Sequence, residues 1–288
     1  GIIAAVVCAI RRIPFCVTLP GSDVYIAQKN RLFSAVTRWA SERAAFICAD
    51  SPQYITELKK TGAHVPNRKI IPYPVDIAAI QTKKRASDIR RKLDIAPEAR
   101  ILVSVGRLIE KKGFQYAIRA LPAILQKYPK TVYVIVGSGD MEAELKKEAD
   151  ISGVSASVLF VGNVLRRQIS AYYRLADVVL VPSVQDHEGN IDDRPVALLE
   201  AMACGRAVVV SHLPGNAMTV EEGKSGLLVP QKNPNAIAHA AISVLRSRSL
   251  QLRLGREAKK NVEKQFRHTV IGRQYHNIFR DIVLGRHG

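Results

Sequence analysis

Short apolar, β-branched runs alternate with stretches of helical period along almost the whole of this 288-residue chain. No other feature limits its fold so strongly. "FCVTL" (15–19), "FICAD" (46–50) and "KIIPYP" (69–74) read as strands. The segments between them have apolar residues spaced three and four apart, as in a helix over 27–45 with Leu32, Phe33, Val36, Trp39 and Ala40 on one face. In "SPQYITELKKTG", Ser51 caps a helix, Pro52 takes its first position and Gly62 stops it. A second series follows, with strands "ILVSVG", "TVYVIVGSG", "VLFVG", "DVVLVPS", "AVVVS" and "GLLVP" separated by helical patterns. Strand–helix–strand order requires parallel sheets, and strands without polar alternation require cover on both faces. The expected class is α/β, with two doubly wound Rossmann-like domains facing a cleft.

The two series divide the chain. Residues 1–80 form an N-terminal domain, 81–99 a charged linker with a short helix, 100–268 a second domain, and 269–288 a final helix. In that helix Tyr275, Ile278, Phe279 and Ile282 make an apolar stripe suited to the first domain. The chain opens with Gly1 in what reads as mid-helix, so the first domain is expected to lack its start. "GIIAAVVCAI" is apolar, but Arg11 and Arg12 end it far short of a membrane span. Cys8, Cys16, Cys48 and Cys204 show neither paired nor metal-binding spacing, which fits a reducing, cytoplasmic setting. The net charge of +18 admits nucleic acid, an anionic membrane surface or phosphorylated substrates as partners. Aromatic residues are only 6% and no reading helix appears, so nucleic acid is set aside. The cations Lys29, Arg31, Arg38 and Arg43 beside the Leu32/Phe33/Val36/Trp39 face suit an anionic membrane surface, while the plainer reading packs that apolar face on the first sheet.

In open α/β sheets, ligands sit beyond the C-terminal strand ends. In the second domain those ends supply Gly106 and Arg107 with Lys112 close behind, Gly137, and Asn163 with Val164; the last is the loop 184–194. An arginine fork and a lysine point charge on one rim suit a diphosphate. "GNIDDRPVALLEAMACGRAVVV" (189–210) then places acids at a helix mouth. Glu200 sits among Leu198, Leu199, Ala201 and Met202, where a carboxylate needs a partner or a job. It could accept two ribose hydroxyls, with Asp192 reaching a sugar and the amides around 189–194 facing phosphates. The plainer readings are an acid favoured by the helix dipole at Glu200 and a helix cap at Asp192.

These motifs resemble the nucleotide-sugar-dependent, retaining glycosyltransferases of family 4, which have the GT-B fold. "VGRLIEKKG" is similar to that family's G-R-L-x-x-x-K-G. "VPSVQDHEGNIDDRPVALLEAMACGRAVVVS" is similar to its P-S…E-G-x-P-x-x-L-x-E-A-M-A-x-G-x-P-V-V, and "EEGKSGLLVP" to its tail. "FCVTLPGSDV" and "IIPYPVD" resemble its first-domain motifs. The chain departs from the pattern at Asp192, one methylene shorter than the family's glutamate, at Pro20, where the family has histidine, and at Met218, where it has glutamate.

The resemblance implies transfer of a sugar from a nucleoside diphosphate to an acceptor hydroxyl of a glycan or lipid-linked molecule, at the cytoplasmic face of a membrane. It implies Arg107, Lys112 and Asp192 as catalytic residues and Glu200 on the ribose. Gly106, Gly137, Asn163, Val164, Gly189, Asn190 and Ile191 would line the donor site, with Asp23 opposite by analogy. No cofactor and no metal are expected, because two cations can carry the diphosphate charge. The alternative is a nucleotide-sugar-binding protein of the same fold with impaired catalysis.

Overall fold

The computed structural model describes residues 2–19, 21–78, 80 and 85–284, the side chains of residues 2, 22 and 23 excepted. It divides into two compact units: residues Gly1–Pro74 with His268–Gly288, and residues Val75–Arg267.

In the smaller unit, strands β1 (Cys16–Leu19), β2 (Phe46–Ala49) and β3 (Arg68–Ile70) form a parallel sheet in that order, with Thr18 opposite Cys48 and Ala49 opposite Ile70. The single helix expected over 27–45 is two helices, Ser22–Lys29 and Arg31–Arg43. Asn30 separates them in extended conformation, and its side chain accepts from Leu32 N at 2.9 Å and Phe33 N at 3.2 Å. An asparagine oxygen satisfies first-turn amides that nothing else would meet. Ser51 caps the helix Pro52–Lys59 in the same way, accepting from Gln53 N. The last helix, His268–Val283, buries Ile271, Ile278 and Ile282 with Cys48 and Ile71; Tyr275 packs against the same cluster and Phe279 stays half-exposed. Among the described residues, no helix is long and apolar enough to cross a membrane.

The larger unit has strands β4 (Arg100–Val105), β5 (Thr131–Val136), β6 (Val158–Gly162), β7 (Val178–Val181), β8 (Ala207–Ser211) and β9 (Leu227–Val229). They form one parallel sheet in the order β6-β5-β4-β7-β8-β9. The continuous apolar runs divide by alternate residues between two cores: Ile101 and Val103 face one, and Leu102 faces the other. The stretch read as a linker is partly built into this unit. Its helix Ala86–Lys92 and the turn after it place Ile89, Ile95 and Ala99 in the core. Strand order reverses between β4 and β7, so the crevice beyond their C-terminal ends is the topological switch point.

Candidate functional site

Two segments meet at that switch point. After β4 the chain passes Gly106 and Arg107 to a short 3₁₀ turn, Glu110–Lys112; after β7 it enters the loop 184–195. Glycines allow this approach. A Cβ at Gly113, which has φ +67°, would lie 2.0 Å from the carbonyl oxygen of Pro182 at the end of β7. A Cβ at Gly137, with φ +138°, would lie 1.9 Å from the carbonyl oxygen of Gly106. Gly106 and Gly137 therefore let neighbouring strand ends close on each other.

The loop is tied to the turn at three points. Val184 N donates to the carbonyl of Lys111 at 2.9 Å. The ammonium of Lys112 meets Asp192 Oδ2 at 2.6 Å, with both side chains mostly buried. Glu110 accepts from the His187 amide at 3.1 Å and pairs through its other oxygen with the His187 ring. That carboxylate holds the His187 pKa above its ordinary value, chiefly by the hydrogen bond and then by charge. The Lys112 stem lies over Gly106, so the lysine reaches the loop across a position with no side chain.

Glu200 stands apart, five residues into the helix Val196–Ala203 and 8% exposed. It accepts from the Tyr173 hydroxyl at 3.1 Å, and the Arg166 guanidinium lies 3.8 Å away. Burial pushes its pKa up, against the opposing pull of Tyr173 and Arg166. The same burial, with the Glu200 charge beside it, pushes Tyr173 well above the usual phenol range. Asp192 does not cap this helix, because Pro195 occupies the preceding position and no side chain caps it.

The remaining candidates divide by what they touch. Arg107 is exposed and forms no ion pair among the described residues. Asn163 is exposed, Val164 packs against the core, and Ile191 is buried. The amides expected to face phosphates are partly spoken for. Gly189 N donates to the Asp186 carbonyl at 3.1 Å, and Asn190 N to the Asp186 carboxylate at 2.8 Å. Asp186 thus closes the loop on itself, as a short acidic side chain does in an Asx turn. The side chain of Asp23, like Pro20, lies outside the described residues.

Three residues of consequence escaped the sequence reading: His187, Asp193 and Arg194. Asp193 is fully buried and accepts from Gly215 N at 2.7 Å. Arg194, 6% exposed, donates from Nε to Thr219 Oγ1 at 2.9 Å and stacks over Phe266 at 6.0 Å. Two adjacent opposite charges before a proline were the only available signal, because their partners lie more than twenty residues away.

The family model "Glycosyl transferases group 1" matches residues 86–261, more than half of the chain. An uncharacterized glycosyltransferase of Methanocaldococcus jannaschii is 33% identical over 193 residues, covering 67% of this chain and 48% of that protein. The amylovoran biosynthesis glycosyltransferase AmsK of Erwinia amylovora is 34% identical over 173 residues, covering 60% of this chain and 42% of that protein. The chain thus spans about half the length of these curated relatives. Among solved structures, Anabaena HepE in complex with UDP superimposes with a TM-score of 0.84 at 21% identity, over 97% of this chain and 76% of that one. Sucrose-phosphate synthase from Thermosynechococcus elongatus gives 0.77 at 24% identity, over 99% and 72%. Parallel sheets in two Rossmann-like units with this likeness are the GT-B fold.

Proposed function

Because this chain belongs to the glycosyl transferases group 1 family, we propose that it moves a sugar from a nucleoside-diphosphate sugar to an acceptor hydroxyl with retention of configuration, in assembly of a cell-surface polysaccharide or glycolipid. The observation that carries this reading is the Lys112–Asp192 contact at the switch point. A cation beside a carboxylate supports this reading, because a diphosphate calls for the first and the sugar it carries for the second. The bond from the anomeric carbon to the diphosphate oxygen breaks, and the acceptor oxygen bonds to that carbon on the same face. The acceptor proton passes to the departing diphosphate. Lys112 and Arg107 stabilise the charge that grows on the leaving group, which is preorganised electrostatic catalysis and needs no metal. Asp192 holds sugar hydroxyls and favours the developing positive charge on the ring. Glu200, kept in place by Tyr173, takes the ribose.

Donor binding requires Asp192 to share Lys112 with the diphosphate. Isothermal titration with UDP and GDP, alongside release of free sugar from UDP-glucose and GDP-mannose, tests the assignment. Asp192→Asn should abolish turnover and leave nucleoside-diphosphate affinity nearly unchanged. Full turnover by that variant would remove Asp192 from the reaction.

The second reading, a binder without turnover, draws on the Gly189 and Asn190 amides being occupied by Asp186. It expects UDP or GDP binding with no sugar release from either donor. We assign residues 1–80 to the acceptor side and the donor site to the second domain. Leu32 is 72% exposed and Phe33 half-exposed, beside Lys29 and Arg31, which supports attachment to an anionic cytoplasmic leaflet. Equal partitioning to anionic and neutral vesicles would refute that attachment.

A further inference from the structure

Asp192 is followed by two charged residues whose side chains are buried. They grip one helical turn from two sides. The Asp193 carboxylate takes the amide of Gly215, and Arg194 Nε donates to Thr219 Oγ1 and, at 3.3 Å, to the carbonyl of Gly215. Thr219 closes the figure by donating to the same carbonyl at 2.7 Å. A Cβ at Gly215 would sit 2.9 Å from the Asp193 carbonyl oxygen and 3.0 Å from its carboxyl carbon, so the approach requires glycine. The Arg194 guanidinium is backed by the Phe266 ring. Pro195 then fixes the next φ near −65°. Residues 193–195 are therefore a rigid base, and Asp192 stands one Cα step, about 3.8 Å, from it. On the other side of Asp192, Ile191 is buried, but the stretch before it carries the exposed Gln185, His187 and Glu188 and closes on its own Asp186 turn.

We propose that Asp193 and Arg194 are positioning residues that set where the Asp192 carboxylate points, through their grip on Gly215 and Thr219. This rests on the reading of Asp192 as the residue that holds the donor sugar. A short carboxylate has little reach to correct an error of position, and misplacement by about 1 Å costs on the order of 10²-fold in rate.

The test compares Arg194→Lys and Thr219→Val with the unaltered chain. Lysine keeps the charge and loses the planar fork, and valine keeps the volume and loses the hydroxyl. Amide hydrogen exchange of the ligand-free protein should quicken at least tenfold across residues 189–192 in both variants, with the strands of the sheet unchanged. Sugar release from UDP-glucose or GDP-mannose should fall at least tenfold at saturating donor, while UDP and GDP affinities move less than threefold. Unchanged exchange over 189–192 overturns the proposal. So does a loss of UDP affinity as large as the loss of rate, which marks a merely structural role. If Asp192→Asn turns over normally, or the unaltered chain releases no sugar from either donor, the catalytic reading fails instead, and hydrogen exchange alone decides the positioning role.

Discussion

The two limbs of the loop 184–195 are held by opposite means. The outer limb carries the exposed residues Gln185, His187 and Glu188. It rests on the Asp186 turn and on His187 against Glu110, charges that meet in water. The inner limb is buried, and each charge on it has a hydrogen-bond partner on another element. Exposed pairs contribute little and are screened by salt, whereas a buried group that loses its partner bears its full desolvation cost. The same residue types, an acid and a base, thus give an adjustable limb and a fixed one, and Asp192 lies where they join.

The largest expected effect falls at that junction. Lys112→Met removes the cation that Asp192 meets and should lower transfer about 10²–10³-fold, equivalent to roughly 2.7–4 kcal/mol of barrier. Steady-state transfer measures it, and a loss below tenfold would separate the junction from the chemistry. Next, Asp193→Ala leaves the Gly215 amide without its acceptor and should destabilise the protein by about 3 kcal/mol in urea unfolding. A change under 0.5 kcal/mol would erase the difference between the limbs.

Glu200→Gln should act in two directions. Loss of a charged hydrogen bond weakens nucleoside-diphosphate binding by about 1.5–3 kcal/mol, read by titration calorimetry. The ligand-free protein should become more stable. A carboxyl whose folded pKa is raised binds its proton more tightly when folded, so stability falls as pH rises from the unfolded value through the folded one. The neutral amide escapes that loss, and melting temperatures at pH 4 and pH 8 should differ less in the variant than in the unaltered chain.

The smallest effect belongs to the outer limb. His187 has a raised pKa, so its pairing with Glu110 is fully formed below about pH 6.5 and is lost as pH rises through the folded value. Exchange of the amides at 186–190 should be slower at pH 6 than at pH 9, after correction for intrinsic rates, and His187→Gln or added salt should flatten that difference. A pH effect as large in His187→Gln would assign it elsewhere.

Much of the fold is legible in sequence because strands buried on both faces must be continuously apolar, as in "TVYVIV" and "AVVVS". The break at Asn30 was not legible: a polar residue within a helical period reads as a solvent position, and only backbone conformation makes it a cap. The cations Lys83, Lys84, Arg90 and Arg91 concealed Ile89 and Ile95, whose burial depends on a neighbouring helix. At the site, Lys112 and Asp192 were legible as chemistry. The Asp186 turn left a local trace in the Gly189-Asn190 pair, while Asp193 and Arg194 depend on Gly215 and Thr219, to which no local pattern points.

The smaller unit is built from residues before Val75 and after Arg267, with Ile271, Ile278 and Ile282 closing the cluster around Cys48 and Ile71. A ribosome makes the first part, then the whole of Val75–Arg267, before the closing helix exists. At about 5–20 residues per second that interval is roughly 10–40 s. The larger unit is complete only at the end of that interval, and throughout it Cys48 and Ile71 wait without their cover. A stalled or truncated product ending at Arg267 therefore exposes this cluster, and that exposure is what a holding chaperone or a protease would meet.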